Sequence, residues 1–234
     1  MGFHGAFKVP QQYQPPVTQW IRPEGDPDSP PLLEAKRDPK NPKLMFSPYA
    51  YSKLNWLCQR ANTEVAGFGI TPIDDPLYVE DFLMVQQEAQ PAYVEFDIDG
   101  LSEFQMAMAE LGYKFHQFGR IWIHTHPSIG ANPSGTDWNT FGDVMRDANY
   151  GLMYIMSKDG KQTCHLRIGC GQVGVSLDRS IDVGIDWLRP FTTLGEQADW
   201  EREYLDNVLV KGTPTHVTGH WSDDEAAVSM EVGY

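Results

Sequence analysis

Two histidines one residue apart, His124 and His126, open a run that continues Pro127-Ser128-Ile129-Gly130-Ala131-Asn132-Pro133-Ser134-Gly135-Thr136-Asp137. Alternate side chains of a strand share a face, so both imidazoles can reach one ion while Thr125 points away. The pair alone is weak evidence, because a buried strand can hold histidines that merely satisfy hydrogen bonds. A carboxylate from Asp137 would complete a three-ligand set that leaves the fourth tetrahedral position to water, the arrangement of a catalytic zinc. These residues read first as those of a metallohydrolase. Ser134-Gly135-Thr136-Asp137 fits a helix capping box as well, and a carboxylate given to zinc is not expected to close that box fully.

Such a centre needs a general base, and Glu64 stands at the head of the apolar stretch Val65-Ala66-Gly67-Phe68-Gly69. An acid is unusual at the start of a buried strand, and the glycines let a ligand or another backbone come close. On the residues alone Glu64 is one candidate among several. Its competitors Glu80, Asp81, Glu88 and Glu95 each read as solvated charges.

Periodicity sets out the elements that must position these groups. Ser47 to Ala61 has helical spacing at Tyr49, Tyr51, Leu54, Leu57 and Cys58, with Ser47 as N-cap and Pro48 at N1. Val65–Ile70 and Leu77–Gln86 read as strands, and Asp99–Leu111 as a second helix capped by Asp99 or Ser102. Gly119–His126 is a strand running into the histidines. Ser134–Ala148 is a third helix, with Trp138, Phe141, Val144 and Met145 inward. Gly151–Met156 and Thr163–Ile168 flank Asp159-Gly160, a hairpin-turn signal, and a last helix spans Leu194–Val208. The order predicts a mixed α/β or α+β domain.

The 234 residues suffice for one core with extensions. Residues 1–43 carry nine prolines, too many for helix or central strand, and read as an arm whose aromatics, Tyr13 and Trp20 among them, pack on the core or on a partner. Residues 44–175 form the catalytic domain, and 176–234 a C-terminal extension with one helix and a polar tail. A net charge of -14 argues against nucleic acid as partner, since that affinity rests on clustered Lys and Arg. Three cysteines, Cys58, Cys164 and Cys170, suit a reducing compartment, and their spacing beside His165 does not make a structural zinc site. No apolar run is long enough to span a bilayer and Met1–Gln12 lacks a signal-peptide pattern, so a cytoplasmic protein without membrane partners is expected.

The spacing His124-x-His126, seven residues, Ser134, two residues, Asp137, preceded by Glu64 in a short apolar strand, resembles the JAMM motif of the JAB/MPN metalloprotease family. The resemblance covers roughly residues 44–170. It implies the MPN (cytidine-deaminase-like) fold, a mixed β-sheet flanked by helices, with one catalytic Zn2+ on His124, His126 and Asp137. Glu64 would be the acid/base and Ser134 the oxyanion-side helper. It further implies a prokaryotic deubiquitinase-like isopeptidase or peptidase, cleaving after the terminal glycine of a ubiquitin-like protein, with that modifier and its conjugates as partners and conjugation enzymes possible associates. The modifier tail would lie beside a strand, with Tyr93, Phe96, Ser128 and Asn132 as groove residues. The RadC-type proteins share the motif but carry an upstream helix-hairpin-helix region that a proline-rich arm does not supply. A phage-tail or cell-wall peptidase, or a non-catalytic MPN scaffold, are the alternatives.

Overall fold

The computed structural model describes residues 40–169, 176–189 and 195–211. Most of the N-terminal arm, Cys170 and the polar tail lie outside them. The described chain is a mixed α/β structure whose elements run β1 (Lys43–Phe46), α1 (Pro48–Arg60), β2 (Ala66–Ile70), β3 (Tyr78–Val79), β4 (Asp81–Met84), β5 (Gln87–Gln90), β6 (Tyr93–Phe96), α2 (Ile98–Glu110), α3 (Phe115–Phe118), β7 (Ile121–His126), α4 (Gly135–Val144), β8 (Tyr150–Ser157), β9 (Gln162–Gly169), β10 (Ser176–Ser180), β11 (Asp182–Ile185), α5 (Gln197–Asn207) and β12 (Val208–Val210).

The central sheet has the order β10-β9-β8-β7-β2-β4. Alternate residues of its middle strands enter two cores. Ile121 and Ile123 of β7, Leu152, Tyr154 and Met156 of β8, and Phe82 and Met84 of β4 pack with α1. Trp122, Met153, Ile155, Phe68 and Leu83 face the other way, onto Phe104 and Met108 of α2 and Phe141 of α4. Burial on both faces explains why these strands read as continuous apolar runs. β2 passes so close to β4 that a Cβ at Gly67 would collide with the Leu83 carbonyl, so the expected close approach is that of a neighbouring backbone.

Helix α1 begins as its cap signal requires: Ser47 Oγ accepts the Ala50 amide at 2.9 Å, and Pro48 occupies the first turn. Helix α2 differs from expectation, because its cap is Asp97, whose carboxylate accepts the Gly100 amide at 2.8 Å. Helix α4 ends at Val144 rather than Ala148, and α5 starts at Gln197. The single strand expected over Leu77–Gln86 is two. β3 joins β1 and β4 joins β2, and between them Ser47 Oγ donates to the Glu80 carbonyl at 2.7 Å. The polar segments β5 and β6 gave no strand signal, yet they pair with each other and, through β5, with β12.

Much of the C-terminal extension belongs to the same packed body. β10 pairs with β9, and β11 lies parallel to β1. Trp200 of α5 stacks with Trp56 at 5.8 Å between ring centres. Beneath this contact Lys53, fully buried, meets Asp81 at 3.2 Å and Glu203 at 2.7 Å, tying α1, β4 and α5 together. The two carboxylates also accept the backbone amides of Phe82 and Met84. Among the described residues no helix is long and apolar enough to cross a membrane.

Two expectations follow. Lys53→Met leaves two buried carboxylates without their cation and is expected to lower unfolding free energy by about 3–5 kcal/mol in urea titrations. Glu80 lies 9% exposed, and burial, with Asp74, Asp75 and Asp81 adding to it against Arg189, pushes its carboxyl up to about 7. A carboxyl whose folded pKa exceeds its unfolded value favours the fold below the unfolded pKa and loses that contribution as pH rises through the folded one. Glu80→Gln is therefore expected to stabilise the protein at pH 8 by up to about 3 kcal/mol and to have little effect near pH 4.5, read as unfolding midpoints at the two pH values.

Candidate metal centre

β7 and β8 are parallel, with His124 opposite Ile155 and His126 opposite Ser157. A parallel pair needs a crossover, and α4 supplies it. Its first turn thereby returns over the carboxyl end of β7, the end where ligands gather in open α/β sheets. Asp137 is the third residue of that turn.

On the other side of β7, β2 runs antiparallel with Ala66 opposite His124. Continuing that register beyond the end of β2 sets Glu64 opposite His126, and directly opposed residues share a face. The extension is real hydrogen-bonded pairing: Thr125 N donates to Val65 O at 2.9 Å, and Val65 N donates to Thr125 Oγ1 at 3.1 Å. The Glu64 amide is held in turn by the Gln90 carbonyl at 3.0 Å. The buried Gln87 side chain bonds both the amide and the carbonyl of Ala66, fastening the start of β5 to β2.

The four groups meet. His124 Nε2 lies 3.2 Å from His126 Nε2 and 3.3 Å from Asp137 Oδ1, and His126 Nε2 lies 3.7 Å from Asp137 Oδ2 and 4.0 Å from Glu64 Oε1. The ligating atoms of His124, His126 and Asp137 all lie within 4.8 Å of one another, and this buried group can hold a metal ion. The donor set fits one. Gly130 O is 3.1 Å from His126 Nδ1, and since a carbonyl only accepts, Nδ1 carries the proton and Nε2 turns a lone pair inward. His124 is fully buried, its ring stacked on Trp122 at 4.5 Å, and its Nδ1 has no hydrogen-bond partner among the described residues.

Asp137 closes the capping box and still offers an oxygen to the histidines. Its Oδ2 accepts the Ser134 amide at 2.6 Å while Ser134 Oγ accepts the Asp137 amide at 3.1 Å, so the capping box is closed, and Oδ1 still faces His124. Two oxygens let one carboxylate serve helix and centre together. Burial acts to raise its pKa, but the two imidazoles and the Ser134 amide outweigh it and hold Asp137 well below the carboxylate range. Burial keeps His124 below the ordinary histidine value. Against the same desolvation, Asp137, Gly130 and Glu64 raise His126. Glu64, 8% exposed, is pushed up to about 7 by burial, with His126 opposing and Asp137 assisting.

Of the other residues singled out in the sequence, Tyr93 and Phe96 lie on β6 and line a cavity of about 190 Å³ with Val94, Glu95, Ala66 and Trp122 on one side and Thr140, Asp143 and Val144 of α4 on the other. Its floor adjoins the centre, because Trp122 stacks on His124 and Ala66 pairs with it. Phe96 also packs on Phe68 at 5.6 Å, so it is part wall and part core. Ser128 and Asn132 are exposed in the loop after His126 and do not line this cavity. Trp122 was not read as a site residue; its place two residues before His124 on a strand gives it the same face and is the signal that finds it. Cys58 and Cys164 are buried free thiols, and burial raises both.

No protein-family model matches the chain, and no curated protein matches it. Among solved structures, it is similar to the solution structure of protein DSY2949 from Desulfitobacterium hafniense, a structural-genomics target. The two are 16% identical with a TM-score of 0.41, over 61% of this chain and 92% of that one. That likeness is too loose to carry a fold assignment.

If the four groups divide their roles as their positions suggest, ligand and non-ligand variants separate cleanly. His124→Ala, His126→Ala and Asp137→Ala are each expected to weaken Zn2+ binding by more than about 100-fold, beyond the roughly 10–100-fold typical of outer groups. Glu64→Gln is expected to keep about one ion per chain, as measured by chelator competition and elemental analysis.

Proposed function

We propose that the chain is a zinc-dependent peptidase or isopeptidase of the JAB/MPN kind, cleaving after the terminal glycine of a ubiquitin-like protein. The observation that carries this reading is the convergence of two imidazoles and a carboxylate on one point with an elevated-pKa glutamate 4.0 Å from His126. A three-ligand set with an acid at its margin is what metal-assisted hydrolysis requires, and the JAMM spacing read in the sequence supports the family.

His124, His126 and Asp137 would hold the ion. When bound, zinc supplies Lewis acidity and a water whose pKa falls towards roughly 7. Glu64 would take a proton from that water and return it to the departing amine, which in an isopeptide is a lysine ε-amino group. Ser134 uses its oxygen as acceptor for the Asp137 amide, which leaves its hydroxyl proton to donate to the developing oxyanion. Glycines at the scissile end suit a crowded centre, because they let the backbone approach closely.

Among the described residues β6 pairs with β5 alone, and its other edge carries no strand. That edge, with the cavity between it and α4, offers an extended tail backbone hydrogen bonds and a floor on Trp122, the strand-addition mode of recognition.

The deciding experiment offers ubiquitin-fold proteins bearing C-terminal or lysine-linked extensions to the zinc-loaded protein, to chelated protein and to Glu64→Gln. Release after the terminal glycine by the first alone is expected, with Glu64→Gln slower by at least about 100-fold, as loss of a general base implies. Absence of cleavage by protein holding one zinc would turn the reading to another peptide bond, and unchanged tail binding after substitution of Tyr93 and Phe96 would remove the β6 groove.

A further inference from the structure

We propose that Asp159, in the turn between β8 and β9, is a positioning residue for the metal centre: its carboxylate holds the loop residue whose carbonyl orients His126. The inference rests on the metal-centre reading above. His126 Nδ1 donates to Gly130 O at 3.1 Å, and this bond decides both the tautomer and the direction of the ring. Gly130 lies in the loop between β7 and α4, where no strand or helix ladder sets the peptide planes, and its φ of 92° is one that a side chain rarely permits. Its amide donates to Asp159 Oδ1 at 3.3 Å.

Asp159 is itself immobilised. Oδ1 accepts the Ser157 hydroxyl at 2.5 Å and the Lys161 amide at 3.3 Å, and Oδ2 meets Lys161 Nζ at 2.6 Å. The same turn grips the main chain of the ligand, because Lys158 N donates to His126 O at 3.2 Å. Gln59 of α1 anchors the turn in its place by donating to Lys158 O at 3.0 Å. His126 is thus held twice from one hairpin, through its backbone by Lys158 and through its ring by way of Gly130 and Asp159. His124 has no comparable relay, since its Nδ1 is unpartnered among the described residues and its ring rests on Trp122. A ligand that is half-buried, at the end of its strand, needs the outer bond more than one sealed in the core.

The test is the Zn2+ dissociation constant, by competition with a chromophoric chelator, alongside the thermal midpoint. Asp159→Ala is expected to weaken binding about 10–100-fold, the range for loss of an outer-shell partner. Asp159→Asn keeps an oxygen for the Gly130 amide and is expected to recover most of that loss. Arg202→Met removes an exposed charge pair on α5 that touches none of these bonds and is expected to stay within about threefold of wild type. Gly130→Ala strains the backbone without a clash, displaces the carbonyl, and is expected to match Asp159→Ala, which keeps the inference testable should Asp159→Ala not fold. Wild-type affinity in folded Asp159→Ala or Gly130→Ala, or an equal loss in Arg202→Met, would overturn the relay while leaving the metal centre standing. Wild-type protein that holds no zinc would overturn both.

Discussion

The parallel pairing of β7 with β8 is the constraint on which the site depends. Two antiparallel neighbours can be joined by a tight turn, but parallel ones cannot, so the chain must leave the end of β7, climb over the sheet and come back. The elements that it places on this route are the loop of Gly130 and the helix α4. The first turn of that helix carries amides without intrahelical partners, which a nearby carboxylate satisfies, and Asp137 does so for Ser134. The same requirement that starts the helix therefore delivers an acid to the two histidines. From the opposite edge the antiparallel register with β2 delivers Glu64. Neither acid is near the histidines for its own sake; each is carried there by a pairing rule.

Two buried charge clusters in the molecule show why one is structural and the other reads as a centre. Around Lys53 the account closes with protein groups: one ammonium faces two carboxylates, and those carboxylates accept main-chain amides. Around His124 and His126 it does not close. With Nδ1 of His126 committed to Gly130, its Nε2 presents a lone pair to the Asp137 carboxylate, with Glu64 adding a second acid at the margin. Like charges at that distance disfavour joint ionisation, which is one reason Glu64 is raised while Asp137 is held low. A cation in the middle would answer the arrangement.

Local signals carried the sequence reading where the chemistry is local. Ser47-Pro48, Ser134 with Asp137, and Asp159-Gly160 each mark a terminus or turn through bonds between residues a few positions apart, and α1, α4 and the β8–β9 hairpin stand where those signals put them. The histidine pair was legible for the same reason, as a period-two pattern on one strand. What was not legible depends on distant partners. Asp81, read as solvated, is buried where α1 and α5 meet β4, and Glu80, read the same way, is buried between β3 and β4. Gln87–Gln90 and Tyr93–Phe96 are polar enough to read as loop, and become strands through pairing with each other and, for the first, with β12. On the residues alone Glu64 was one acid among several, singled out only by the motif resemblance, because the register that sets it opposite His126 joins distant strands.

The boundary drawn near residue 175 has a functional cost that the structure makes visible. β12 pairs with β5 from Val208 opposite Gln87 to Val210 opposite Ala89, and among the described residues β5 is the sole partner of β6. α5 leads directly into β12 and is anchored through Glu203 to Lys53 and to the Met84 amide, one of the last residues before β5. The wall of the cavity beside Trp122 thus stands on residues 197–210 as much as on its own sequence. A two-stranded ribbon of four residues each has little independent stability in water, and a third strand with a packed helix is what gives it shape. Residues 197–210 are therefore part of the apparatus that would present a substrate edge to the centre.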